Sequence, residues 1–298
     1  MRKPVLVILA LLIFIAGSIA AQDGLALMKV ESGARAAGLG GAFVSIGADP
    51  LSPVYNPAGA AGANQFIATF GYNSYWSNIN MGHGYFVSPL VGNLYLHGGI
   101  RYAGVNNLEG RTIPTLDPNS VTDFDANDVS FKAGLSYRLA PKVSVGAAAG
   151  WYVEKIESYR GSAFNVDLGI LAQPLPALAI GASATNVGPD FKIDEGEVRS
   201  RDISLPTMYR IGGSYRYRKY LGALDIVVVD DDPHAHFGAE ADLHESFAIR
   251  AGYMSGYDTK NITAGASFKR RNFTFDYAFV PYSSDLGTAH LFNLTIAL

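Results

Sequence analysis

From Asn64 to the C-terminus, apolar and polar residues alternate with a period of two, as in strands that turn one face to a greasy medium and the other to a wet one. Between Asp128 and Arg138, Val129, Phe131, Ala133, Leu135 and Tyr137 share one face, and Asp128, Ser130, Lys132, Gly134, Ser136 and Arg138 the other. The pattern returns in Phe164, Val166, Leu168 and Ile170 against Asn165 and Asp167, and in Phe273, Phe275, Tyr277 and Phe279 against Thr274 and Asp276. Segments bounded by turn residues predict about fourteen strands, near 64–75, 78–88, 93–103, 127–138, 143–155, 162–173, 178–186, 206–218, 221–230, 235–243, 246–257, 261–270, 272–281 and 289–298. Each is near the roughly ten residues that a tilted strand needs to cross a bilayer. The expected fold is all-β, a transmembrane antiparallel β-barrel with both ends on one side.

The connections support this. Every second turn is short: Pro89 to Gly92, Ala140 to Lys142, Gln173 to Pro176, Arg218 to Tyr220, His244-Glu245 and Arg270-Arg271. The two longest loops, Gly104 to Asn127 and Val187 to Leu205, fall on the opposite side, as outer-membrane barrels require. Aromatic residues gather near strand ends, for example Tyr72, Tyr75 and Trp76, or Tyr215, Tyr217 and Tyr220, where rings with a polar tip suit a membrane interface. The last strand places Phe292, Leu294, Ile296 and Leu298 on one face. On this reading arginine at Leu135 or Phe275 faces lipid and is costly, whereas arginine at Ser136 or Thr274 is much milder.

The stretch from Val30 to Ala61 breaks the alternation. Gly33, Ala34, Ala36, Ala37, Gly38, Gly40, Gly41 and Ala42 crowd small residues together, which suits close packing against other backbone. Pro50, Pro53 and the run Asn56-Pro57-Ala58-Gly59 then cut the chain into short pieces. This is read as a compact insert held inside the barrel. Upstream, Met1 to Ala20 joins Arg2 and Lys3, an apolar run from Val5 to Ile15 and the small-x-small site Ser18-Ile19-Ala20, the features of a cleavable signal peptide. The expected organisation is a signal peptide over 1–20, a plug segment over 21–63 and the barrel over 64–298.

Composition narrows the functions. With 16% charged residues and a net charge of -3, the chain has no polybasic character, so nucleic acid is set aside as a partner. The absence of cysteine excludes both lipoprotein processing and disulfides. The wet faces carry His97, Arg101, Lys132, Arg138, Asp167, Arg210, Arg216, Glu240, Asp242, Arg250, Lys269 and Asp276. In a lumen these can pair with each other or with plug residues such as Arg35 and Asp49, and structural pairing is favoured over a substrate path. Asp230-Asp231-Asp232-Pro233-His234-Ala235-His236 could hold a divalent cation or activate water, but it is read as a solvated hairpin tip, because its spacing matches no metal motif. His83 and His290 have no nucleophile partner, and Gly38-Leu39-Gly40-Gly41 lacks the βαβ setting of a nucleotide loop. No enzyme, metal or cofactor is expected.

Gly33-Ala34-Arg35-Ala36-Ala37-Gly38-Leu39-Gly40-Gly41-Ala42-Phe43, followed by Ala48-Asp49, Tyr55 and Asn56-Pro57-Ala58-Gly59, resembles the N-terminal signature of the PorV/PorQ family, part of the FadL-like group of bacterial outer-membrane proteins. The resemblance implies a fourteen-strand barrel in the outer membrane, closed from inside by its N-terminal segment, with Arg35, Gly38, Gly40, Gly41, Asp49 and Asn56 to Gly59 as the plug motif. It implies two functions. One, through PorV, is an accessory role in type IX protein secretion, with secreted passenger proteins or secretion components as partners. The alternative, through the FadL-like group, is transport of hydrophobic small molecules or fatty acids.

Overall fold

The computed structural model describes residues 26–75, 79–111, 121–195, 198–199, 202–283 and 286–298. The expected signal peptide, the first plug residues 21–25, Trp76, residue 78 and parts of both expected long loops lie outside these residues. The strands are β1 (Ile67–Ser74), β2 (Asn80–Pro89), β3 (Leu94–Arg111), β4 (Val121–Ala140), β5 (Val143–Ile156), β6 (Tyr159–Leu175), β7 (Leu178–Val187), β8 (Ile193–Glu195), β9 (Val198–Arg199), β10 (Met208–Tyr217), β11 (Tyr220–Val229), β12 (Asp232–His244), β13 (Phe247–Ser255), β14 (Ile262–Arg270), β15 (Phe273–Tyr282) and β16 (Gly287–Ala297). Each pairs antiparallel with its neighbour, β1 pairs with β16, and β5 with β6, so fourteen strands close a ring. β8 and β9 form a side hairpin on β6. No sheet edge is left in the ring, the condition for a strand-built wall in lipid.

The period of two is the cause of the closure. Along β11 exposure alternates at every position from Tyr220 to Val227, so Leu224 and Ile226 face out while Asp225 and Val227 face in. Phe131, Leu135, Trp151, Phe164, Leu168, Phe268, Phe275 and Leu294 are likewise exposed outward, whereas Ser130, Ser136, Asn165, Asp167, Asp276 and Asn293 are buried inward. Apolar outside and polar inside is the polarity of a barrel in lipid. No helix among the described residues is long and apolar enough to span a membrane.

The six short turns expected from the sequence lie at one end, here the near end, with the C-terminal residue, whose amide donates to Phe66 O; the far end also has two two-residue turns, between β5 and β6 and between β11 and β12. At the far end two expectations need correction. The loop expected over 104–127 is largely hairpin: β3 and β4 pair as far as Arg111 with Val121. The segment there carries polar residues at consecutive positions, which is tolerable for strands that have left the apolar medium, so the alternation that marks a membrane strand is missing. The second expected loop carries β8 and β9 and turns inward, burying Phe191, Ile193 and Leu205.

Inside lies the N-terminal segment, in short pieces: α1 (Ala26–Lys29), α2 (Ala34–Gly38), α3 (Ser52–Tyr55) and a 3-10 turn (Pro57–Gly62). It runs from the far end, where Lys29 pairs with Asp230, to the near end, where Arg138 bonds Ala61 O. Ala34, Ala36, Leu39, Ala42, Phe43, Val44, Ala58 and Ala60 have no exposed surface. The wall makes room with glycine. A Cβ added at Gly252 would lie 2.1 Å from Gly40 N, at Gly169 2.0 Å from Asn56 Oδ1, at Gly181 2.3 Å from Val44 O, and at Gly146 2.4 Å from Pro57 C. Gly40 and Gly41, at φ 63° and 75°, turn the chain where it meets β12 and β13. Ser136 is part of this contact: it is buried and donates to Pro57 O, so arginine there would collide with the plug. The expectation of mildness is therefore kept for Thr274 alone, which lines a cavity.

Candidate functional site

The segment is tied to the wall through backbone groups that its short pieces leave unpaired. Asp225 Oδ2 accepts from the amides of Phe43 and Val44 at 2.7 and 2.8 Å, and Asn293 Oδ1 from Ala34 N at 2.7 Å. Ser183 donates to Tyr55 O at 2.6 Å. Asn56, fully buried, donates to Val44 O at 2.8 Å and to Ile170 O at 2.9 Å while its Oδ1 accepts from Ala58 N at 3.0 Å, starting the 3-10 turn. One side chain thus satisfies plug and wall together, which explains an asparagine before Pro57-Ala58-Gly59.

Ion pairs add a second set of ties. Arg35 of α2 forms a fork on Glu240, with Nε to Oε2 and Nη2 to Oε1 both at 3.0 Å, and its Nη1 reaches Asp49 at 3.1 Å. Glu240 also accepts from Arg250 at 2.7 Å and Arg216 at 2.9 Å; Arg250 continues to Asp276 at 3.0 Å and Arg216 to Asp242 at 2.9 Å. Seven of the residues singled out from the sequence thereby form one network at the near end. Lys269 stands exposed at the same mouth. Arg138 bonds the Ala61 carbonyl and lies over the Tyr95 ring. Lys132 pairs with Asp167 and donates to Asn186 Oδ1 at 2.7 Å. His97 is buried beside Gly134.

The sequence reading missed several residues. Glu31 pairs with Lys260 at 2.7 Å, both buried, which holds the start of the plug to the β13–β14 connection. Asp225 was passed over although a lone acid inside the apolar run of β11 was a visible signal. The solvated tip expected over Asp230 to His236 is confined to its first part: Asp230 and Asp231, at φ 53° and 65°, form the two-residue turn, while His234 and His236 are buried on the inner face of β12. His234 stacks on Tyr257 with centroids 3.9 Å apart, and His236 Nε2 lies 2.9 Å from Tyr257 Oη. Among the described residues no group of three His, Asp or Glu is placed to hold a metal ion.

The plug leaves two cavities, one on each side, that share no lining residue. The far one, of about 260 Å³, is lined by Met28 to Ser32, Gly41, Val54 and Tyr55 of the plug and by Arg101, Lys132, Thr185, Asn186, Met208, Arg210, Val227, Val229, Asp230, Asp232, His234, His236 and Tyr257. The near one, of about 440 Å³, includes Arg35, Asp49, Glu240, Arg250 and Asp276. Leu27, Met28, Phe191, Ile193, Leu205, Tyr152 and Leu291 form one apolar cluster in the far half. Tyr55 donates to Ser32 O at 3.0 Å and accepts from Ser32 N at 2.9 Å. Burial, with the Glu31 carboxylate adding to it, raises its phenol above the ordinary range, so it keeps its proton.

Neither a protein-family model nor a curated protein matches the sequence. Solved structures do match the whole architecture. The Pseudomonas putida toluene transporter TodX aligns at a TM-score of 0.64 and 12% identity over 94% of this chain and 98% of its own. The Ralstonia pickettii toluene transporter TbuX aligns at 0.61 and 15% over 89% and 97%. A Pseudomonas aeruginosa FadL homologue aligns at 0.60 and 11% over 89% and 97%. The fold is that of the FadL-like outer-membrane barrels. The narrower PorV/PorQ reading rests on the N-terminal residues alone.

Proposed function

We propose that the chain is an outer-membrane passage for a hydrophobic small molecule, with its near end in the periplasm and its far end at the cell surface. The observation that carries this is the far cavity: a pocket within the lumen, part apolar and part charged, separated from the periplasmic cavity by a plug of short pieces. Concave, largely preformed sites lined by apolar groups with a few placed polar ones are where small ligands bind. The likeness to toluene transporters supports the same reading. Passage would require the plug to shift, and its bonds to the wall are individually breakable hydrogen bonds and ion pairs.

The test is a deletion strain complemented by the wild-type gene, followed for uptake of labelled toluene and a labelled fatty acid and for its secreted proteins. Uptake is expected to fall in the deletion and return on complementation, with the secretome unchanged. Lost secretion with normal uptake would promote the protein-secretion role instead.

A further inference from the structure

Two arginines in the far cavity form no ion pair among the described residues. Arg101, on the lumen face of β3, is 4% exposed; its Nη1 donates to Ser32 Oγ at 2.9 Å and its Nε is buried without a partner. Arg210, on β10, gives Nη1 to Thr185 Oγ1 at 3.3 Å and Nη2 to the weakly accepting Met208 sulfur at 2.9 Å, and its guanidinium lies over the Tyr55 ring at 5.4 Å; its Nε too is buried without a hydrogen-bond partner among the described residues. Of the two, Arg101 is buried and Arg210 half-buried. The buried cations Lys132, Arg250 and Lys260 are each matched, Lys132 by Asp167, Arg250 by Glu240 and Asp276, Lys260 by Glu31.

The acids around the cavity do not supply the missing charge. Glu31 and Asp230 are held by Lys260 and Lys29. Asp232 lies exposed at the rim. Asp225, whose Oδ2 takes the plug amides of Phe43 and Val44, acts on Arg210 from a distance and forms no ion pair with it. Asp128 and Glu154, one inward position further out than Ser130 and Tyr152 on β4 and β5, form no ion pair with Arg101. Removing a charge from water without a partner is strongly unfavourable, and a bound anion removes that penalty.

We propose that the far cavity binds a compact organic carboxylate, its anionic group between Arg101 and Arg210 and its apolar body against Met28, Val54, Met208 and Val227. This rests on the small-molecule reading above and names the class of cargo. A guanidinium fork matches the two oxygens of a carboxylate, which favours that group over a neutral polar one. The cavity, about 260 Å³, falls below the roughly 300–1,000 Å³ of pockets for drug-sized ligands, so it fits an aromatic or short branched acid.

The test uses the full chain folded in lipid nanodiscs and equilibrium binding of labelled benzoate, benzyl alcohol and palmitate. Benzoate is expected to bind at least about tenfold tighter than benzyl alcohol, the value of one charge-assisted contact, and tighter than palmitate. Arg101→Gln and Arg210→Gln should each weaken benzoate about ten- to a hundredfold, and Arg210→Lys by less, in protein whose heat-modifiable migration is unchanged. Equal binding of benzoate and benzyl alcohol by the unaltered protein overturns the proposal without any variant, and so does preference for palmitate. Uptake of toluene with no preference for the acid would defeat this inference and leave the passage standing. Benzoate binding without uptake of any hydrophobic compound would defeat the passage and leave the site.

Discussion

Arg250 holds Glu240 through Nε and Asp276 through Nη1, and all three side chains are buried. Their network contains three arginines, at 35, 216 and 250, and four acids, at 49, 240, 242 and 276. Removing one member is therefore asymmetric. In Glu240→Gln each arginine keeps one carboxylate, Arg35 with Asp49, Arg216 with Asp242 and Arg250 with Asp276. Arg250→Gln leaves four acids facing two arginines and takes the guanidinium from Asp276. It is expected to cost about 3–5 kcal/mol, the range for breaking a buried pair, and Glu240→Gln distinctly less, read from thermal unfolding in detergent. The sequence placed five of these residues on the wet faces and Arg35 and Asp49 in the plug, but could not match them one to one, since Arg35 and Glu240 are 205 positions apart. That Arg101 and Arg210 form no ion pair among the described residues was illegible for the same reason: an arginine without a carboxylate looks like any other until the whole lumen is assembled.

Among the elements, the membrane strands were legible because lipid imposes one rule on every outward position. Leu135 on β4 and Phe275 on β15 stand 46% and 47% exposed on that face. Leu135→Arg should cost about 2–4 kcal/mol near the bilayer middle, while Thr274→Arg, opening onto the near cavity, should lie close to the unaltered protein in the same unfolding measurement. β3 and β4 beyond residue 104 were not legible, because strands outside lipid need no apolar face. The plug pieces were legible only as a break in pattern. Their seating depends on bare positions in β5, β6, β7 and β13, and a glycine on a wet face does not announce what it touches. Gly252→Val puts a side chain where Gly40 N now lies, 2.1 Å from the added Cβ. It is expected to unseat the plug and raise single-channel conductance in a planar bilayer; a folded variant with unaltered conductance would mean that the lumen is closed elsewhere.

At the scale of the whole molecule, the polar ties reach the N-terminal segment from widely spaced parts of the ring: Ser136 on β4, Ser183 on β7, Asp225 on β11, Glu240 on β12 and Asn293 on β16. β16 also forms the seam with β1, where the sheet joins its own beginning. The residue on that seam that takes the Ala34 amide, Asn293, also donates to Thr69 of β1 at 3.1 Å. A ring this narrow, filled with backbone against bare glycine, offers no way to thread thirty-odd residues in afterwards. An order of assembly is predicted from this: the inner segment waits inside a curved, unfinished sheet until β16 zips shut over it. A version of the chain begun at Gln65, given residues 21–64 later as a separate peptide, should accordingly remain leaky in a bilayer, whereas the same two pieces refolded together should seal.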